Sequence, residues 1–550
     1  MVQALSSFHT KFAENIFYTK YAHGPRDTWE ALADRLVDDV CGTNGRDFTT
    51  PLLSQEEIKE LKRLIREKKF VPGGRYLYYA GRASHAFNNC LLLKAEEDTR
   101  EEWGALIHRA SDCLMAGAGI GVNYSILRPR GTPLIRTGGA ASGPVPLMCS
   151  VNEVGRNVKQ GGGRRSAIWA GLNWQHGDIF EFTYAKNWSE AVRRLKEEDF
   201  NFPAQLDMTN ISVCWDTAFI EGYKKTGKLP KIWYDSVKQM LKTAEPGHSY
   251  DFYKNEIYNC RNACAEVVSA DDSDICNLGS VNIGAIDSLG ELVYVVELAA
   301  KFLVCGTVRA DLPYQKVYKV REKNRRIGLG LMGIHAWLIK RGYKYEVVPE
   351  LHDWLLEYRY HSEYGAKELC DDLGISRPIA YRSIAPTGTI SILASTTTGI
   401  EPLFATAYKR RYIVEGNTWK YEYVIDATAQ QLINETGADP DKIETAYSLA
   451  GDPERRIRFQ ADVQDYVDMA ISSTINLPAW GTPMNNDDTA KDFAELLAKY
   501  AHRLRGFTAY PDGARGGQPI TEVSYSYARG KEGVVYEENE EACKSGVCGV

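Results

Sequence analysis

Apolar residues recur at helical spacing along several long stretches of the chain. Ile58, Leu61, Leu64 and Ile65 share one helical face, and Ser54 followed by Glu57 forms a capping box in front of them. Residues 1–70 therefore read as a helical N-terminal region. Amphipathic helices are predicted over 101–117, 231–244, 350–373, 462–471 and 488–504. From about 70 to 402, and again over 503–511, short apolar runs of strand character alternate with helical patterns and Gly-rich turns, the signature of an α/β fold. Gly506-Phe-Thr-Ala-Tyr-Pro511 is one such strand. Beyond Pro519 the text turns Tyr-, Gly- and Glu-rich without a period, which predicts a solvated, mobile arm to the C-terminus. The greasiest run, 292–308, is broken by Glu297 and Lys301, and no apolar leader opens the chain. Neither membrane spanning nor secretion is indicated, and a cytoplasmic location is expected, in a bacterium or in the host of a virus.

Composition narrows this picture in two respects. With 66 basic and 72 acidic residues the net charge is −6, which argues against a surface built to hold nucleic acid. The 12 cysteines are too many to ignore in a chain of 550 residues, and outside a secreted scaffold they are core filler, metal ligands or catalytic thiols. Cys113, Cys214, Cys305 and Cys370 fall within apolar or helical patterns and read as filler.

The remaining thiols have more telling surroundings. Cys543 and Cys548 stand near the chain end, where packing is rare, and look like a dithiol that swings into a pocket to exchange electrons with an internal disulfide. Asn262-Ala-Cys264-Ala-Glu266 alternates an amide, a thiol and a carboxyl. If extended, it points all three to one side and combines a reactive thiol, a hydrogen-bonding amide and a general base. Cys276 and Cys90 each stand at a strand-like segment. Five such thiols are more than a single nucleophile needs and point to a redox relay. Ala385-Pro-Thr-Gly-Thr-Ile-Ser391 reads as a phosphate cradle at a strand-to-helix turn.

In this order, Asn-Cys90, Asn262-x-Cys264-x-Glu266, Cys276-Asn-Leu-Gly-Ser-Val-Asn and the terminal Cys543-x4-Cys548 resemble the catalytic subunit of ribonucleotide reductase. The likeness runs from about Val71 to the terminus. It includes Ala118-Gly-Ile-Gly-Val-Asn123, Val158-Lys-Gln-Gly-Gly-Gly-Arg-Arg165, Asn210-Ile-Ser-Val, Asn324-Arg-Arg-Ile-Gly-Leu-Gly and Gly399-Ile-Glu-Pro402. The resemblance implies a ten-stranded α/β barrel with a central finger loop over 71–518, after the helical region 1–70 and before a flexible redox-active tail, 519–550. It implies that Cys264 becomes a thiyl radical and takes hydrogen from C3′ of a ribonucleotide. Glu266 then moves the 3′-hydroxyl proton, and Asn262 holds the sugar. Cys90 and Cys276 supply two electrons and a proton and end as a disulfide. Cys543 and Cys548 reduce that disulfide and are recharged by a thioredoxin or glutaredoxin-like protein. Substrate contacts are expected from Asn89, Ala385, Thr387, Gly388, Thr389 and Ser391, and Asp98 and Arg136 are candidates to hold a deoxynucleotide or ATP effector. The short span between Cys90 and Cys264 suits a homodimer.

One departure bears on the radical source. Relatives that receive the radical from a separate metal-containing beta subunit relay it through two adjacent tyrosines, whereas here the comparable stretch is Thr508-Ala509-Tyr510-Pro511. The segment is more similar to the adenosylcobalamin-dependent class, with no metal ligands expected from the chain itself. The alternatives are a class that uses such a beta subunit, a nicotinamide-dependent oxidoreductase suggested by Gly328-Leu-Gly-Leu-Met-Gly333, and a zinc-stabilised module using the terminal cysteines. The 328–333 glycines lack the surroundings of a dinucleotide fold and read as helix packing.

Overall fold

The structure is a computed structural model, and it describes residues 7–43, 50–88, 90–158, 166–199, 202–252, 259–414, 418–514 and 520–537. The N-terminal region is helical, with α1 (Lys11–Lys20), α2 (Trp29–Cys41) and α3 (Gln55–Arg66). The capping box forms as the residue types demand, the Ser54 hydroxyl accepting from Glu57 N and the Glu57 carboxylate accepting from Ser54 N. Buried Trp29 ties α2 to the end of α3 by donating from Nε1 to the Ile65 carbonyl at 2.9 Å.

A ten-stranded sheet organises the rest of the chain. Its first strands are β1 (Phe70–Pro72), β2 (Cys90–Lys94), β3 (Gly119–Asn123), β4 (Ile168–Asn173), β5 (Thr209–Asp216) and β6 (Gly247–Asp251). Strands β2 to β6 lie side by side in chain order and parallel, the arrangement that helical crossovers produce. Two short strands, β7 (Cys260–Arg261) and β8 (Val268–Ser269), pair only with each other. The long β9 (Asp274–Asn282) runs antiparallel to β2 and β1, and carries β10 (Ile327–Met332) parallel on its other side. Past β10, isolated parallel bridges join Leu329 to Arg382 and Ile384 to Ile471. A hairpin, β11 (Ala407–Val414) and β12 (Thr418–Ile425), precedes β13 (Thr474–Leu477) and β14 (Gly506–Pro511), which are parallel to each other. β14 then joins β6 antiparallel.

The run 292–308 lies inside the helix Leu289–Arg309, which is buried against the helix Pro349–Asp372. Gly365 permits the crossing, because a Cβ there would come 2.8 Å from the Glu297 carbonyl oxygen. Among the described residues no helix is long and apolar enough to cross a membrane.

Three expectations are corrected. The 328–333 glycines are not helix packing. Gly328 and Gly330 lie in β10, where a Cβ on Gly330 would come 2.6 Å from the Ser383 carbonyl oxygen, so the glycine serves close backbone approach, and Gly333, with φ +78°, stands just before the helix Ile334–Lys340. The helix expected over 462–471 is Pro453–Gln464, and the chain after it is extended where Ile471 pairs with Ile384. Finally, 520–537 is not a free arm, because β15 (Ile520–Glu522) and β16 (Val535–Glu537) flank the β11–β12 hairpin in a four-stranded antiparallel sheet. Strands of three residues are too short to print a period, and their partners are distant in sequence.

Candidate active site

The Asn262–Glu266 segment sits on a loop held at its base by buried charge. Arg261, wholly buried, pairs with Asp251 at 2.9 Å and donates to Ser249 Oγ at 2.8 Å and to the Tyr250 carbonyl at 2.9 Å. Asn123 Nδ2 donates to the Asn259 carbonyl at 2.7 Å, fastening the loop to β3. That approach demands glycine at 121, since a Cβ there would lie 1.8 Å from the Arg261 carbonyl oxygen. Above the base the chain turns instead of extending. Ala265 has φ +64°, its N–H bonds the Asn262 carbonyl, and Val267 N donates to Asn262 Oδ1 at 2.9 Å. Convergence of Asn262, Cys264 and Glu266 therefore comes from a turn with Cys264 at its tip, not from the two-residue period of a strand.

Cys90 and Cys276 are direct register partners across the antiparallel pair β2–β9. The Cα separation of such partners, about 4.5–5.5 Å, falls within the range that a disulfide spans. Asn262 Nδ2 donates to Cys90 Sγ at 2.9 Å, and the Cys90 thiol lies 4.0 Å from Glu266 Oε1. Burial pushes both thiols well up, so they are held protonated, with nearby Glu266 adding to the effect at Cys90. Burial also raises the Glu266 carboxyl from its ordinary 4.5 to about 7. Its Oε2 is buried with no hydrogen-bond partner among the described residues. Cys264 differs from the pair. Its surface is open onto a cavity, and the protein crowding it also pushes its thiol up.

That cavity, of about 250 Å³, is lined by Cys90, Asn262, Cys264 and Glu266 together with Ala385, Pro386, Thr387, Gly388 and Thr389. The expected cradle thus faces the expected reaction centre. Thr387 has φ +52° and its hydroxyl accepts from Gly399 N at 2.8 Å, so the Gly399 turn holds the loop in shape. Cys276 lies behind Cys90, off the cavity lining, and Ser391 is buried further along the helix Gly388–Ala394 without lining it. Asn89, Cys543 and Cys548 lie outside the described residues, as does most of Val158–Arg165. Tyr21, Arg75 and Ser280 also line the cavity. Sequence reasoning missed them, although Gly73-Gly74-Arg75 beside a strand was a usable signal.

A second cavity, of about 570 Å³, brings Asp98 and Arg136 together with Thr99, Trp103 and Arg128. Arg128 Nε donates to the Asp98 carboxylate at 2.5 Å, a pairing the sequence did not announce.

Two thiols that are register partners, beside a third at a loop tip and a shielded carboxyl, have the residue types to deliver two electrons and a hydrogen atom to one ligand. This is the chemistry of a thiol-based oxidoreductase. The chain belongs to the ribonucleotide reductases, since the family model described as the ribonucleotide reductase barrel domain matches residues 88–230, 221–352 and 377–510. It is 26% identical to a protein of Mycobacterium tuberculosis CDC 1551 named vitamin B12-dependent ribonucleoside-diphosphate reductase, over 91% of this chain and 78% of that one. A protein of the same name from Thermoplasma acidophilum is 27% identical, over 84% and 66%. A Mycobacterium phage D29 protein, provisionally named adenosylcobalamin-dependent ribonucleoside-triphosphate reductase, is 24% identical over 96% of each chain.

Proposed function

We propose that this chain is an adenosylcobalamin-dependent ribonucleotide reductase in which Cys264 carries the radical and Cys90 with Cys276 carries the reducing equivalents. The observation that bears most of this reading is the shared cavity: Cys264 at the loop tip, Cys90 facing Cys276 across β2–β9, and the 385–389 loop opposite. The relatives' names favour the cofactor, and the residues present fit it. Cys264 is the cavity thiol with an open surface, and the small residues Gly119 and Ala167 line the cavity near it. Thr508 and Ala509 stand where a tyrosine relay would need a second ring. Those small residues and Cys264 would face the cofactor, which when bound supplies the one-electron oxidation of the Cys264 thiol.

Cys264 then removes hydrogen from C3′ of the ribose. Glu266, with a carboxyl balanced near neutrality and one oxygen lacking a partner, takes the 3′-hydroxyl proton. Asn262 orients the sugar and the Cys90 sulfur. The 2′-hydroxyl leaves as water with one proton, a second hydrogen ends on C2′, and Cys90 and Cys276 lose two electrons and two protons to become a disulfide. Hydrogen returns from Cys264 to C3′, and the proton held by Glu266 returns to the 3′-oxygen. Cys543 and Cys548 reduce the disulfide and are recharged by a small dithiol protein. The 385–389 loop takes the substrate phosphates.

The same reading closes the sheet into a ten-stranded barrel. The bridges at Arg382, Ile384 and Ile471 connect β10 through 381–384 and 469–472 to β13, and so to β14 and β6. The loop of Asn262–Glu266 is then the finger within it. The second cavity takes a deoxynucleotide or ATP effector, with Asp98 and Arg136 among its contacts.

Purified chain, adenosylcobalamin and a dithiol should reduce ribonucleotides without another protein. Activity only on adding a metal-containing subunit would replace the cofactor assignment with the beta-subunit class.

A further inference from the structure

Arg75 and Tyr21 line the catalytic cavity from a part of the chain that precedes the matched family segment, which starts at residue 88. Arg75 sits at the start of α4 (Gly74–Tyr79), only 5% exposed. Its guanidinium occupies the space left by the missing side chain of Gly117, where a Cβ would lie 2.7 Å from Nη1 and 3.0 Å from Cζ. Gly117 has φ +85°, so both its backbone and its neighbour call for glycine. Among the described residues the cavity lining holds one cation, Arg75, and one acid, Glu266. A ribonucleotide brings several negative charges into this space, and the 385–389 loop offers them only neutral groups.

We infer that Arg75 is a substrate-binding residue that supplies the positive charge for the nucleotide's phosphates. The inference rests on the reading of this cavity as the substrate site. A guanidinium makes charge-assisted, forked hydrogen bonds to phosphate oxygens, and burial keeps that attraction from being screened by salt. Gly117 shapes its position, and the stretch ahead of residue 88 thereby completes a site whose reactive groups all come from 90 onward.

The test is equilibrium binding of a nucleoside, its monophosphate and its diphosphate to the full chain, with the second cavity saturated by a deoxynucleotide, alongside KM and kcat for the diphosphate. In the wild type each phosphate should tighten binding. In Arg75→Gln the gain from the phosphates should shrink by about tenfold to a hundredfold, with KM raised and kcat little changed. If Arg75→Gln fails to fold by thermal melting, Arg75→Lys reads the same quantity and should lose several-fold of the gain, because an ammonium lacks the fork. An unchanged phosphate gain in either folded variant overturns the inference, as does an equal loss for nucleoside and diphosphate. Wild-type chain that binds none of the three would instead remove the reading of the cavity on which the inference rests.

Discussion

The two cavities of this chain treat charge in opposite ways. Around Cys264 the reactive groups are shielded: Cys90, Cys276 and Glu266 are buried, and all three are pushed toward their protonated forms by burial. Around Asp98 the charges face outward, with Arg128 paired to Asp98 across partly open surface and Ile135 fully exposed on the rim. The proposed roles call for this difference: radical chemistry needs thiols that stay neutral, whereas capturing a charged effector needs charge accessible from solution. Salt should therefore weaken the second cavity and leave the first nearly untouched.

The sharpest break of that contrast is Cys264→Ser. Turnover should vanish while nucleotide binding at both cavities persists, as measured by deoxynucleotide formation and by titration. Next comes Glu266→Gln, expected to lower turnover by about 10²–10⁴-fold. In the wild type kcat/KM should rise with pH through about 7, as the carboxyl ionises, and the variant's profile should lose that limb. The same group makes a stability prediction. Between pH 4.5 and about 7 the folded chain keeps a proton that an unfolded chain has released, so stability falls as pH rises across that window. Thermal melts of Glu266→Gln should lack this fall, leaving the variant the more stable above pH 7.

Asp251→Asn probes the base of the finger, where it strands the buried Arg261 charge. A loss of about 3–5 kcal/mol is expected in denaturant unfolding. An exposed counterpart, Asp98→Asn, should cost under about 1 kcal/mol of stability. Its effect should appear as a several-fold change in deoxynucleotide affinity that fades in high salt. Salt-independent binding at the second cavity would erase the proposed difference between the regions.

The residues that line the cavity were more legible in the chain than the architecture was. Cys90, the 262–266 triad and the 385–391 loop are each ordinary short motifs taken singly; their order along the chain marked them, and the structure brings Cys90, Asn262, Cys264, Glu266 and 385–389 around one cavity. Helix positions such as 231–244 and the 506–511 strand were readable from period alone, and the helix Lys231–Thr243 and strand β14 follow them closely. Misreadings fell where tertiary contact overrides local pattern. Glycines 328 and 330 read as packing for a helix but serve a strand pressed against Ser383, and the three-residue strands β15 and β16 carry no period to detect.

Taken by itself, the order of amino acids determined which side chains could hold a radical, accept a proton or form a disulfide, because those capacities are covalent. It also determined where helices begin, through caps such as Ser54 and Glu57. Only the tertiary structure decided that Cys90 stands opposite Cys276, that Asn262 reaches the Cys90 sulfur, and that Arg75 enters the cavity from outside the matched segment. Register, burial and long-range approach depend on the whole packed sheet, and that same burial raises Glu266 to about 7, a property no local stretch of chain possesses.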